Sequence, residues 1–114
     1  MNLEQYSRMA KSEDWHVEKS ETSSDFTIQH TLLERGNRYG PFKGHAWITQ
    51  KLKDDMREHK GWILLNGSQK EALEMIAHKI GRILNGDPNY DDSWVDIAGY
   101  AQLVVNQLRG DTST

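Results

Sequence analysis

Residues 68–108 read SQKEALEMIAHKIGRILNGDPNYDDSWVDIAGYAQLVVNQL, and this stretch constrains the fold more than any other. Leu73, Ile76, Ala77, Ile80, Ile83 and Leu84 recur at helical spacing. Asn85-Gly86 then supplies a helix stop, and Asp87-Pro88 makes the connector stiff. Ile97, Ala101, Val104 and Leu108 form a second helical stripe, widened by Trp94, Ala98 and Val105. That helix can begin at Asp87-Pro88 or at Asp91-Asp92-Ser93. Two helices joined by so short a connector must be neighbours. At the start of the first, Ser68-Gln69-Lys70-Glu71 matches a capping box, in which Glu71 returns to the Ser68 amide.

The upstream chain adds two more helices. One is expected over residues 25–35, capped by Asp25, carrying Phe26, Ile28, Leu32 and Leu33, and stopped by a left-handed Gly36. The next spans about residues 41–59, with Pro41 in its first turn and Phe42, Ala46, Thr49, Leu52 and Met56 on one side. His45 lies near that stripe and reads as a packing residue. The charged run KLKDDMREHK reads as a solvated face. Trp62-Ile63-Leu64-Leu65 is an apolar connector, either a buried loop or an extended segment.

The sequence therefore predicts one all-α domain over residues 25–109, a four-helix arrangement. Residues 1–24 form a polar arm, in which Leu3, Tyr6 and Met9 permit an extra short helix. Trp15 and Val17 are the arm's candidates for packing on a partner, and residues 110–114 form a frayed tail. With 114 residues, 36% hydrophobic and 27% charged, the chain is polar for a compact monomer, and a homo-oligomer would bury more apolar surface.

Charge and composition exclude several classes. The formal net charge of -3 gives no global basic field for duplex nucleic acid or a membrane surface. No apolar run approaches the roughly 20 residues needed to span a bilayer. The absence of cysteine removes disulfides and thiolate metal sites, and suits a reducing cytoplasm.

Chemistry concentrates in two places. Glu71 and Glu74 on one helix, with Asp92 and Asp96 on the next, offer the oxygen ligands that Mg²⁺ prefers. The same spacing is common on solvated helices, and Glu71 and Asp92 stand near helix N-termini, where negative charge is favoured anyway. Glu74, His78, Gly81 and Asn85 share a polar face beside Glu71 and Arg82, whereas Lys79 points elsewhere. Glu74 and His78, four apart, lack the remainder of a zinc signature. The second place is the segment Glu34-Arg35-Gly36-Asn37-Arg38-Tyr39-Gly40-Pro41-Phe42. Its arginines suit a phosphate, and its tyrosine suits a base or sugar. The alternative is a solvated turn with Tyr39 packed on the core. Trp47, Trp62 and Trp94 read as core or interface residues before base platforms.

The runs TLLERGNRYGPF, QKEALEMIAHKIGRILNGDP and DSWVDIAGYAQL resemble a small domain family found mainly in phages, over about residues 27–108. More distantly, the acidic helix followed by Asp-Ile-Ala-Gly-Tyr-Ala resembles the MazG-like all-α nucleoside triphosphate pyrophosphohydrolases. That resemblance implies an oligomeric helical bundle, Mg²⁺ held by acidic residues on two helices, and cleavage between the α and β phosphates. Glu71 and Glu74 fall where that superfamily has a Glu-Glu-x-x-Glu helix, with Lys70 in the preceding position. Asp96 matches the Asp of its Glu-x-x-Asp motif, with Ser93 at the Glu position and Asp92 one residue off.

Two functions are expected on this basis. In the first, a phage-type nucleotide-binding protein acts as a pyrophosphohydrolase in the host cytoplasm. Glu74 and Asp96 are then catalytic, and Glu71, Glu74, Asp92 and Asp96 hold Mg²⁺. Arg35, Arg38 and Arg82 meet phosphates, Tyr39 or Trp94 flanks the base, and His78 and Asn85 belong to the same pocket. In the second, a non-enzymatic counter-defence protein sequesters a nucleotide signal or inhibits a host protein.

Overall fold

The computed structural model describes residues 23–111, with side chains from residue 27. The expected extra helix through Leu3, Tyr6 and Met9, the packing roles of Trp15 and Val17, and residues 112–114 lie outside that range. The described residues are all-helical and contain no strand. Four helices follow one another: α1 Ser23–Tyr39, α2 Phe42–Arg57, α3 Gly67–Asn85 and α4 Asp92–Leu108. A 3-10 turn, Lys60–Leu64, joins α2 to α3.

α1 is longer than expected, because Gly36 does not stop it. The helix runs through Gly36 to Tyr39, and the Gly40 amide still donates to the Gly36 carbonyl at 2.9 Å. Gly40 takes the left-handed conformation instead, with φ 77°. Pro41 follows in extended backbone and caps α2. A proline biases the residue before it away from right-handed helix, so the break falls at Gly40. Gly36 has no proline after it to enforce a break.

The start of α3 is also displaced. Asn66, not Ser68, is the cap: its Oδ1 accepts from the Gln69 amide at 2.8 Å, and Gln69 Oε1 accepts from the Asn66 amide at 2.9 Å. Asn-Gly-Ser-Gln carries the same reciprocal chemistry two residues earlier than Ser-Gln-Lys-Glu. Glu71 is thus freed of its capping role and lies exposed on the second turn. The apolar connector is neither buried nor extended. Its 3-10 turn leaves Ile63 79% and Leu64 83% exposed.

α3 is the central helix, flanked by α2 and α4, while α1 packs sparsely on both α2 and α3. The α2/α3 interface depends on small and polar residues. Gly44, His45 and Thr49 of α2 are buried, as are Ala77 and Gly81 of α3. A Cβ on Gly81 would overlap Thr49 Oγ1 and sit 3.1 Å from His45 Nδ1. Among the described apolar side chains only Ala72 and Ala77 are buried. α4 turns Ser93, Ile97, Tyr100 and Val104 inward, each buried or half-buried. The stripe expected to be its core includes Trp94, Ala98, Ala101 and Leu108, and these are exposed. A helix of this composition is apolar on two faces, and among the described residues it packs chiefly on α3.

Candidate functional site: an arginine and tyrosine cleft at the helix elbow

The bend between α1 and α2 is locked to the loop between α3 and α4. Asn85 Nδ2 donates to the Tyr39 carbonyl at 2.9 Å and to the Pro41 carbonyl at 2.8 Å. The Asp87 amide donates to the Arg38 carbonyl at 2.8 Å. A Cβ on Gly40 would fall on the Asn85 carbonyl, and a Cβ on Gly86 would fall on the backbone of Arg38 and Tyr39. Glycine is required at both positions because two backbones touch there. The loop then turns on itself, with Asp87 Oδ1 accepting from the Asn89 amide at 2.9 Å. This brings Tyr90 back toward α1.

These locks gather three segments around a cleft of about 350 Å³. α1 contributes Thr31, Glu34, Arg35, Arg38 and Tyr39, α3 contributes Arg82, and the loop and first turn of α4 contribute Tyr90 and Asp92. Two guanidiniums lie over aromatic rings. Arg38 is 4.4 Å from the Tyr90 centroid, and Arg82 is 4.3 Å from that of Tyr39. The two rings are 6.2 Å apart and tilted by 58°. Arg38 also pairs with Glu34 at 3.1 Å. An arginine propped on a ring keeps its planar N–H edge available for an oxyanion.

The sequence-expected residues divide sharply. Arg35, Arg38, Tyr39 and Arg82 converge in this cleft, and Asp92 joins them. Tyr90, Glu34 and Thr31 complete it without having been singled out. Only the nearness of Tyr90 to the stiff Asn-Gly-Asp-Pro turn could have pointed to it. His78 and Asn85 stand elsewhere, although they share a helix with Arg82. The polar face that carries them is the α2 contact. His78 Nδ1 is 3.3 Å from His45 Nε2, with the rings at 82° to each other, and Asn85 is the elbow lock. Trp94 is not in the cleft lining; its indole donates to the Pro88 carbonyl at 3.0 Å.

The carboxylates do not assemble. Among the described residues no three aspartate, glutamate or histidine side chains stand close enough to share a metal ion. Glu74 Oε1 meets Arg57 at 2.6 Å, and Asp96 Oδ2 meets Lys79 at 2.8 Å. Lys79 does point away from the polar face of His78 and Asn85: it is buried and bridges α3 to α4. Glu71 is exposed and Asp92 lies among the arginines.

The histidine pair is the third polar feature. His45 is buried, and its Nδ1 has no well-formed hydrogen bond among the described residues. Thr49 Oγ1 lies 3.5 Å from its other ring nitrogen. Burial, and then the charge of Arg82, hold His45 below the ordinary histidine value. Burial, followed by His45 and Arg82, brings His78 down to about 4. Both rings are neutral near pH 7 and act as packing.

No family model, curated protein or solved structure matches this chain. No helix among the described residues is long and apolar enough to cross a membrane.

Proposed function

We propose that this protein binds a nucleotide through its phosphates, using Arg35, Arg38 and Arg82 in the cleft between α1 and α3. The observation that carries this reading is the convergence of three guanidiniums from two helices, two of them preorganised on tyrosine rings. Preorganisation matters because less side-chain freedom is lost when the ligand arrives. Binding without turnover is the version supported best. Glu74 and Asp96 are engaged by Arg57 and Lys79. With the phage-type resemblance, the role that follows is sequestration of a nucleotide signal in the host cytoplasm.

The exposed stripe of Trp94, Ala98, Ala101 and Leu108 supports a homo-oligomer built through α4. Inhibition of a host protein is a second reading, and the exposed Ile63 and Leu64 are the observation that favours it.

Calorimetry with a panel of nucleoside mono-, di- and triphosphates tests the main reading, alongside an assay for released pyrophosphate or monophosphate in Mg²⁺ and in Mn²⁺. Saturable binding without product is expected. Turnover of any nucleotide would replace sequestration by the pyrophosphohydrolase reading. Absence of binding to every nucleotide would remove both.

A further inference from the structure

The cleft also carries information about what part of a nucleotide it reads, an inference that rests on the nucleotide-binding reading above. Its aromatic surfaces are engaged by its own arginines. Tyr39 supports Arg82 and Tyr90 supports Arg38, each at little more than 4 Å from ring centroid to guanidinium carbon. A base platform needs a free ring face, and one face of each of these rings is taken by a guanidinium. What the cleft offers to a ligand is mainly the N–H edges of the arginines, the group that takes phosphate oxygens two at a time. Its volume of about 350 Å³ lies at the lower end of ligand pockets and suits a phosphate chain better than a whole nucleotide.

The cleft also contains its own competitor. Glu34 already pairs with Arg38 at 3.1 Å, and Asp92 lines the same space. Three guanidiniums against two carboxylates leave one formal positive charge. A weakly charged anion that displaced Glu34 would exchange one ion pair for another and gain little. A chain of two or three phosphates can engage Arg38 on α1 and Arg82 on α3 together, and so offset that exchange. Like-charge repulsion from Glu34 and Asp92 penalises every anion, but only the polyanion has enough partners to overcome it.

We propose that the cleft selects an oligophosphate chain by its number of phosphate charges, is indifferent to the base, and uses Glu34 as an internal competitor that rejects weakly charged anions. The ligands that meet this description are nucleoside di- and triphosphates of any base, and inorganic pyrophosphate or tripolyphosphate.

The test is calorimetry on the full chain in a chelating buffer. The probes are inorganic phosphate, pyrophosphate, tripolyphosphate, ATP, GTP and CTP. Affinity should rise by about tenfold for each phosphate added, as expected for one further charge-assisted contact. The three nucleoside triphosphates should agree within about threefold, well under one such contact. Glu34→Gln should tighten inorganic phosphate more than tripolyphosphate and so narrow the range. Asp92→Asn, on a different element, should tighten all the probes, which guards against a folding defect in the first variant. One nucleoside triphosphate binding far more tightly than the others would overturn base indifference and leave nucleotide binding intact. Tripolyphosphate binding with no nucleotide bound would keep the charge selection and remove the nucleotide reading. Weaker binding in both carboxylate variants would overturn the competitor role.

Discussion

The elbow and the acidic faces of α3 and α4 are both rich in polar residues, yet they are built in opposite ways. At the elbow, two backbones touch through Gly40 and Gly86, and Asn85 ties three segments together. Polar groups there are fixed by close packing, and the arginines that result point into one space. On the acidic faces Glu74 and Asp96 each find a separate cation from a neighbouring element. Glu74 goes to Arg57 and Asp96 goes to Lys79. Spacing along a helix brings carboxylates to a common face, but the charges on the helix packed against that face decide whether they share a ligand. Convergence here follows from tertiary locks and not from helical period.

Substitutions should separate the two regions by magnitude. The largest loss is expected for Gly86→Ala, whose Cβ has no room against Arg38 and Tyr39. Overpacking of this kind should cost about 3 kcal/mol in urea unfolding, and should open the cleft as well. Asp96→Ala comes next. It strands Lys79, which is only 9% exposed, and should cost about 2 kcal/mol in the same measurement. If Asp96→Ala exceeded Gly86→Ala, the contrast between the two regions would be reversed.

Acid provides a third comparison, at the α2/α3 contact. His45 and His78 are depressed in the fold, so the unfolded chain binds more protons than the native chain below the ordinary value of 6.5. Their contribution is complete above pH 6.5 and declines as pH falls below it, that of His78 being lost toward about 4. Unfolding free energy should therefore decline across that window by at most about 1.4 kcal/mol per pH unit for each histidine. His78→Gln should flatten the slope. A stability profile that is flat from pH 7 to 4.5 would show that the pair is not buried as described.

The smallest effect should come from Glu74→Ala. Its partner Arg57 is 45% exposed, so the pair is worth about 0.5 kcal/mol or less. A loss of several kcal/mol there would mean that the acidic face is a fixed network like the elbow.

Much of this architecture was legible in the sequence. α3 and α4 have long apolar periods and strong stops, so their spans and the all-α class could be read directly. Arg35, Arg38 and Tyr39 stand out in the sequence because glycine and proline mark a shaped loop, and the structure brings them into one cleft with Arg82 of α3. Three things were not legible, each for a physical reason. Gly36 and Gly40 are both able to end a helix, and only the backbone of Asn85 across the elbow shows how tightly Gly40 is held. Asn66 and Ser68 are both good caps, separated by two residues, and local chemistry does not rank them decisively. The pairing of Lys79 with Asp96 depends on the rotation of α4 about its axis. An apolar stripe wide enough to serve two faces leaves that rotation undetermined. The same width explains why Trp94, Ala98, Ala101 and Leu108 were expected inside and lie outside.

The central claim is that the cleft arginines hold the phosphates of a nucleotide. Titration of ATP into the wild-type chain and into an Arg38→Ala, Arg82→Ala double variant tests it most directly, with unfolding curves to confirm that the variant is folded. Saturable binding that weakens by about a hundredfold or more in the double variant is the predicted result, since two charge-assisted contacts are removed. Equal affinity in a folded double variant would contradict the assignment of the site.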